Sequence, residues 1–281
     1  MSDKQEKIRA DVLLVSQGLV SSRERAQALI MAGEVYFGES QVRKASQQFG
    51  PEDSLTLRPH GVGYVSRGAL KLVRGLEVFP VDPRGRDAMD IGASTGGFTD
   101  VLLKNGAAHV YAIDVGYGQF DWSLRQDPRV TVMEKTNARY LKPEDLQTVP
   151  DLCVMDVSFI SVSKILPAAA LLMQGQGEFI LLIKPQFEAG RESVGKKGVV
   201  RDEQVHVRVI RQVLDFIREE LPYRPAGLTH SPIRGPEGNI EFLLYLVPRA
   251  SGIPGGVSDE DIVRTVRQAH ENFDKETGDQ P

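Results

Sequence analysis

The sequence predicts an α/β fold in which a seven-stranded, mostly parallel sheet follows a small separate unit. From residue 87 onward, short apolar runs alternate with helical stretches, which is the pattern of βαβ units. The connection between the last two strands is too short for a parallel crossover, so we expect the final strand to run antiparallel. Pro and Gly residues at 59–63 separate the sheet from the first unit.

The composition excludes a strongly basic protein and a membrane-spanning one. The chain has 281 residues and a net charge of −4, so any contact with RNA must come from local patches. Its single cysteine, Cys153, cannot form an intramolecular disulfide, which is typical of a reducing compartment. No apolar run approaches the roughly 20 residues that span a bilayer, and residues 1–9 do not resemble a signal peptide. We therefore expect a cytoplasmic protein with no membrane partner and no obligate protein partner.

The first unit combines two helices with short strands. A helical pattern over residues 11–15 is followed by a second helix over about 23–32. Ser21 or Ser22 can cap this second helix, and Gly33 can end it. Short strands are predicted at residues 35–37 and 55–57.

The larger unit begins with a helix over residues 66–79, which carries an apolar stripe. Ser258 and Asp261 form a capping box for a last helix. The predicted strands cover residues 88–91, 110–114, 130–134, 152–156, 179–184, 226–232 and 241–247. The predicted divisions are a first domain at 1–60, a linker at 61–65, a second domain at 66–250, and a spacer with the last helix and a frayed tail at 251–281.

A glycine-rich turn after the first strand of the sheet predicts a cofactor loop. The segment 92–97 follows Asp90-Ile91, and its glycines allow the backbone to turn sharply and to approach a ligand. Asp114 lies about 20 residues further on, the spacing of an acid that binds ribose hydroxyls. The loop lacks the Gly-x-Gly-x-x-Gly pattern and has no Lys or Arg for phosphates. S-adenosylmethionine therefore fits better than NAD, with Asp90 facing its amino group, although a structural turn is the alternative.

Asn137, which follows the third strand, is placed either at the adenine edge of the cofactor or in a turn. The two interpretations are equally supported by the sequence. No metal site is predicted. The predicted cofactor-binding residues are Asp90, Gly92, Ala93, Ser94, Thr95, Gly96, Gly97, Phe98, Asp114 and Asn137.

Three charged residues should meet at the carboxyl edge of the sheet. Asp156 and Lys184 each follow an apolar strand, and Glu241 precedes the reversed last strand. Ligands of open α/β sheets bind at this edge, where a partly desolvated lysine can act as a base. The alternatives are a helix cap, a lysine extended to solvent, and a charged lead-in to a strand. Lys71 lies off the apolar stripe of its helix, which on the local pattern predicts a solvated position.

Together these segments resemble the TlyA-type (haemolysin A-like) ribosomal RNA 2′-O-methyltransferases over essentially the whole chain. The matching segments are Ser22-Arg23 with Ala26, Ile30, Gly33 and Val35, then residues 64–68, Lys71-Leu72, and residues 90–100, 156–161 and 184–188. The resemblance implies a Rossmann-like S-adenosylmethionine-dependent methyltransferase domain after an alpha-L RNA-binding domain. It also implies a catalytic tetrad of Lys71, Asp156, Lys184 and Glu241, with Glu237 as the other carboxylate near the fourth position.

The same resemblance implies methylation of a cytidine ribose in ribosomal RNA, with ribosomal RNA or ribosomal subunits as the partner. For RNA contact we favour Arg23, Arg25, Gln27, Arg43 and Lys44, although mixed charge alone indicates a solvated face. Acidic and basic residues are equal in number over residues 1–60. The alternatives are a small-molecule methyltransferase, a non-catalytic RNA-binding assembly factor and, less favoured, a haemolysin-like cytolysin.

Overall fold

The computed structural model describes residues 7–38, 40–57, 63–195 and 198–278. The start of the predicted linker, 61–62, and the end of the predicted tail, 279–281, lie outside these ranges. Within them the chain forms two units, and each has its own apolar core.

The first unit packs two helices against two small sheets. Its elements are β1 (Ile8–Arg9), α1 (Ala10–Ser16), α2 (Arg23–Ala32), β2 (Val35–Phe37), β3 (Ser40–Gln41), β4 (Gln48–Phe49) and β5 (Leu55–Leu57). β1 pairs with β4, and β2 lies between β3 and β5. The predicted cap of α2 is confirmed, because the Ser22 side chain accepts from the Arg25 amide. Gly33 ends the helix at a φ of 77°, a left-handed conformation that favours glycine.

A buried carboxylate organises the basic side of this unit. Asp11 in α1 is fully buried and accepts hydrogen bonds from Arg9, Arg23 and Gln27. The hydrogen bonds from these donors, that from Arg9 above all, hold the pKa of Asp11 well below its usual range. The residue therefore stays ionised and fixes side chains from β1 and α2.

The second unit carries the seven-stranded sheet. The elements of its first half are α3 (Ala69–Val78), β6 (Asp87–Ile91), α4 (Gly97–Lys104), β7 (His109–Ile113), α5 (Trp122–Arg125), β8 (Val130–Met133) and β9 (Leu152–Met155). Those of its second half are α6 (Leu166–Leu172), β10 (Glu178–Ile183), α7 (Pro185–Glu188), α8 (Glu203–Glu220), β11 (Tyr223–His230), β12 (Phe242–Pro248) and α9 (Asp259–Gly278). Apolar side chains from both faces of the sheet form two core clusters.

The sheet has the strand order β11-β12-β10-β9-β6-β7-β8. The pairs from β10 to β8 are parallel, and β12 runs antiparallel to both of its neighbours. All seven predicted strands and the reversed last strand are confirmed, with ends shifted by up to three residues. The capping box at the start of α9 is also confirmed, with Ser258 and Asp261 bonded to each other.

Reversal of β12 places its first residues at the carboxyl edge of the parallel strands. Phe242 lies opposite Ile183 of β10. Glu241 and Lys184, which flank this pair, are therefore neighbours at the same edge.

Replacing the buried carboxylate by an amide, Asp11→Asn, should destabilise the first unit by about 2 kcal/mol, because several charge-assisted hydrogen bonds are lost. In hydrogen–deuterium exchange, the α1 and α2 amides should exchange about 30-fold faster. The pKa of Asp11 is lower in the folded state than in the unfolded state. Its contribution to the free energy of unfolding is therefore present above the unfolded-state pKa of about 3.9 and is lost as the pH falls below that value.

The exposed carboxylate Glu52 belongs to the same unit, so Glu52→Gln serves as the control and should leave exchange unchanged. Equal protection in Asp11→Asn and wild type would contradict the organising role of Asp11.

Candidate active site

Four charged side chains from separate segments meet at the carboxyl edge of the sheet. Lys71 of α3 places its Nζ 2.6 Å from Glu241 Oε2 and 3.2 Å from Asp156 Oδ2. The other carboxylate oxygen, Asp156 Oδ1, is 2.5 Å from Lys184 Nζ. Lys184 also donates to Ser158 Oγ at 2.8 Å. Asp156 therefore bridges two lysines, and Glu241 continues the chain of alternating charges.

The four side chains are almost removed from solvent. Asp156 is the most accessible, with 19% of its side chain exposed, and Glu241 is the least, with 1%. Burial alone opposes the charged form of Asp156, but the ammonium groups of Lys71 and Lys184 lower its pKa. Burial likewise opposes the charge of Lys71, but Asp156 and Glu241 raise its pKa. Asp156 is thus a stable carboxylate and Lys71 a stable ammonium.

The solvated position predicted for Lys71 from its helix pattern is wrong. The residue is 6% exposed and lies among the other three charged groups. An apolar stripe identifies only the face of α3 that packs on the core. It cannot show that carboxylates from the sheet edge lie against another side of the helix.

The structure distinguishes the two candidate glutamates near β12. Glu237 is exposed in the connection before the strand, whereas Glu241 contacts Lys71. Gly235 passes close to Glu241, since a Cβ there would lie 2.6 Å from Glu241 Oε1. The connection is therefore shaped around Glu241.

The glycine-rich segment forms the predicted sharp turn between β6 and α4. Gly92 and Gly96 have φ values of 88° and 95°, and Ser94 between them has a φ of 49°. A Cβ at Gly92 would lie 2.5 Å from the carbonyl oxygen of Asp156. The turn and the segment that carries Asp156 are thus in direct backbone contact.

The expectation that Gly96 and Gly97 leave room for a ligand needs correction. A Cβ at Gly96 would meet Leu124 and Phe120, and one at Gly97 would meet Ser66. Both glycines, with Ala93 and Phe98, are buried by the protein itself. The glycine pattern shows where a Cβ is absent but not which neighbour occupies the space. Gly92, Ser94 and Thr95 are the accessible part of the turn.

Asp90 has the properties of a partner for a ligand cation. Its Oδ2 accepts from the amide and hydroxyl of Thr99, at 2.9 and 2.7 Å. Its buried Oδ1 has no hydrogen-bond partner among the residues that the structure describes. Burial raises the pKa of Asp90 to about 7, against the opposing hydrogen bonds from Thr99. An unpaired buried acceptor of this kind fits the amino group of S-adenosylmethionine.

Asp114 and Asn137 lie after β7 and β8. Asp114 accepts from the amides of Ser94 and Gly116, at 2.7 and 2.6 Å, and so ties the turn to the end of β7. Asn137 accepts from the amide and Nε of Arg139 and caps a short 3₁₀ turn. The structure thus shows the turn role of Asn137, and its contact with adenine stays a prediction.

The five predicted RNA-binding residues fall into two groups. Arg23 and Gln27 donate to Asp11, and Arg25 donates to Asp121 of the second unit at 3.0 Å. Arg43 and Lys44 are exposed in the connection after β3. Three of the five are therefore bonded to carboxylates, and the other two are exposed cations.

Two residues near the cluster were not singled out by the sequence. Ser158 accepts from Lys184, and Phe159 is almost fully exposed with a φ of 64°. They lie two and three residues after Asp156, so closeness in the sequence to a candidate acid was the available signal. Nothing in their residue types indicated a contact with Lys184 or an exposed ring.

Comparison with known proteins identifies both units. The family model of the FtsJ-like methyltransferases matches residues 64–247, and that of the S4 domain matches residues 8–55. The chain belongs to the FtsJ-like methyltransferase family. The predicted Rossmann-like fold, the RNA-binding first domain and the dependence on S-adenosylmethionine are thereby confirmed. This FtsJ-like protein is an enzyme.

Two relatives match along most of their length. The chain is 47% identical over 283 residues to YqxC of Bacillus subtilis, provisionally named an rRNA methyltransferase, with both chains fully covered. It is 46% identical over 239 residues to the 16S/23S rRNA (cytidine-2′-O)-methyltransferase TlyA of Mycobacterium tuberculosis, covering 85% of this chain and 89% of that one.

A solved structure from Streptococcus thermophilus, provisionally named a hemolysin, is 42% identical to this chain with a TM-score of 0.76. The match covers 98% of this FtsJ-like protein and all of the other chain. Among the described residues, no helix is both long and apolar enough to cross a bilayer.

Gly92→Ala should cost more stability than an alanine at another left-handed glycine. Gly85 has a φ of 74°, and a Cβ there would have no atom within 4 Å, so Gly85→Ala measures backbone strain alone, about 1 kcal/mol. The contact with Asp156 should add about 1–3 kcal/mol at Gly92. Urea denaturation of both variants measures the difference, and equal losses would show that the backbone contact is not tight.

Proposed function

We propose that this enzyme transfers a methyl group from S-adenosylmethionine to the 2′-hydroxyl of a cytidine in ribosomal RNA. The observation that carries the proposal is the buried cluster of Lys71, Asp156, Lys184 and Glu241 beside the cofactor turn. A ribose hydroxyl is a weak nucleophile, and its activation requires a base and fixed orientation. The relative from Mycobacterium tuberculosis, named as acting on cytidines of 16S and 23S rRNA, supports this substrate.

The contacts divide the roles within the cluster. Lys71 is held as an ammonium by two carboxylates, so we assign the base to Lys184. In its neutral form Lys184 accepts the proton of the 2′-hydroxyl, and Asp156 stabilises the ammonium that results. Lys71 and Glu241 orient the hydroxyl and balance charge. The new bond joins the 2′-oxygen to the methyl carbon as the carbon–sulfur bond breaks.

The cofactor supplies a methyl group activated by a positively charged sulfur. Asp90 would bind its amino group through the unpaired Oδ1, and Asp114 would bind the ribose hydroxyls. Ser94 and Thr95, at the accessible part of the turn, line the approach. Alignment of the methyl group with the 2′-oxygen can contribute on the order of 7–11 kcal/mol to the rate enhancement.

RNA would be held first by the S4 domain. Arg43 and Lys44 are exposed, and Arg23 and Gln27 are fixed in place by Asp11. Phosphate neutralisation by such side chains gives affinity that does not depend on sequence. The substrate would therefore be a ribosomal subunit or its RNA, with the S4 domain anchoring it and the sheet edge modifying it.

Cofactor affinity should rise with pH through about 7, the pKa to which burial raises Asp90. Below this pH the carboxyl group is neutral and cannot pair with the cofactor amino group. Isothermal titration calorimetry with S-adenosylhomocysteine should give about tenfold weaker binding at ~pH 6 than at ~pH 8. Asp90→Asn should bind weakly with no such dependence, and pH-independent binding by the wild type would exclude this role.

Lys184→Ala and Glu241→Gln should each lower methyl transfer about 100-fold or more, because the base or its charge balance is lost. The matched exposed residues give the controls Lys142→Ala and Glu237→Gln, which should retain activity. Incubation of separated ribosomal subunits with labelled cofactor, followed by mapping of the ribose methyl group, measures the effect. Cofactor binding should stay near wild type in all four variants, and full turnover by Lys184→Ala would refute its role.

A further inference from the structure

A cleft of about 510 Å³ lies between the S4 domain and the segment that follows β7. Helix α2 contributes Arg25, and the catalytic domain contributes Tyr117, Trp122 and Arg125. Tyr117 and Trp122 are each 69% exposed, which is unusual for rings of this size. No member of the proposed tetrad lines the cleft. The structure therefore holds an aromatic and cationic surface that the methyl-transfer chemistry does not use.

Cations dominate the exposed charge of this cleft. Arg25 pairs with Asp121 at 3.0 Å, and Arg125 pairs with Glu134 at 2.8 Å. The arginine side chains are 41% and 29% exposed, whereas the two carboxylate side chains are only 13% and 10% exposed. A guanidinium has several N–H donors, so one carboxylate contact leaves others available. An anionic ligand entering the cleft would meet the arginines rather than the acids.

The aromatic rings also lie beside positive charge. Lys135 Nζ is 4.2 Å from the centre of the Tyr117 ring, and Trp122 is followed three residues later by Arg125. Exposed rings next to Lys and Arg are the combination that binds single-stranded nucleic acid, in which bases stack and phosphates are neutralised. An unpaired RNA segment uses both features of this surface, the rings through its bases and the cations through its phosphates.

We infer that this cleft binds a single-stranded segment of the substrate RNA outside the methylated nucleotide. An unpaired base stacks on Trp122 or Tyr117, and Arg25 and Arg125 bind the adjoining phosphates. The inference rests on the proposed function for its substrate class. It adds an RNA-binding surface built by both domains, in which Arg25 acts at the domain boundary.

The cleft is connected to the cofactor turn. The Asp121 amide donates to the carbonyl of Thr95 at 3.2 Å, and Phe120 and Leu124 pack against Gly96. α5, which begins at Trp122, thus joins the cleft to the turn. RNA held in the cleft would lie at the same edge of the sheet as Asp156, since Asp156 and the cleft segment after β7 both follow the carboxyl ends of parallel strands.

Trp122 is the single tryptophan of the chain, so fluorescence excited selectively at tryptophan reports on this cleft. The full-length protein is titrated with an unstructured oligoribonucleotide of about ten nucleotides. We expect saturable quenching that weakens steeply with added salt. Arg25→Ala and Arg125→Ala should each weaken the oligonucleotide affinity.

In methylation assays with ribosomal subunits, Trp122→Ala should raise KM about tenfold with kcat and cofactor affinity unchanged. Trp122→Phe should restore KM because it keeps a stacking ring. Tyr140 is 74% exposed and does not line the cleft, so Tyr140→Ala is the matched control and should resemble the wild type.

Two outcomes would overturn the inference. One is unchanged fluorescence with RNA while subunits are still methylated, which would leave the proposed function intact. The other is full quenching by S-adenosylhomocysteine alone with no further effect of RNA, which would assign the cleft to the cofactor. Normal quenching in a wild-type protein that methylates no ribosomal RNA would instead contradict the proposed function and leave RNA binding in the cleft supported.

Discussion

The Asp156 carboxylate between Lys71 and Lys184 is the interaction on which the candidate site depends. Buried charges are costly unless they are paired, and none of the four side chains is more than 19% exposed. Each lysine of the cluster lies against a carboxylate, so the cluster can exist beneath the surface. Without Asp156, Lys184 would lose its ionic partner and Lys71 would keep only Glu241. Asp156 therefore allows both Lys71 and Lys184 to be buried.

Strand order explains why these groups meet. β9, β10 and β12 are consecutive in the sheet, and neighbouring strands are about 4.8 Å apart. Charged residues at the ends of adjacent strands are thus close enough to form ion pairs with each other. Had β12 run parallel to β10, Glu241 would lie at the opposite edge. The reversed strand consequently supplies the second carboxylate that holds Lys71, and β6, next to β9, brings the Gly92 turn against Asp156.

The sequence was sufficient for features governed by local pattern or by topology. The seven strands follow from apolar runs bounded by Gly and Pro, and the meeting of Asp156, Lys184 and Glu241 follows from the direction of the strands. The burial of Lys71 could not be predicted from its helix pattern, because the neighbours of a helix face are set by tertiary packing. For the same reason, the glycine pattern could not show that Gly96 and Gly97 pack against Phe120, Leu124 and Ser66.

In several ion pairs of this protein the cation is more exposed than the acid, so total charge is an incomplete guide to its local surface. The first sixty residues carry equal numbers of both. Yet Asp11 is fully buried, whereas its partners Arg9 and Arg23 keep 41% and 54% of their side chains exposed. The same division holds in the cleft, where the acids are the less exposed members of each pair. Buried carboxylates thus order the guanidinium groups while solvent, and any phosphate, meets the cations. A domain with equal numbers of acids and bases can in this way present cations locally, at the positions where its acids are buried.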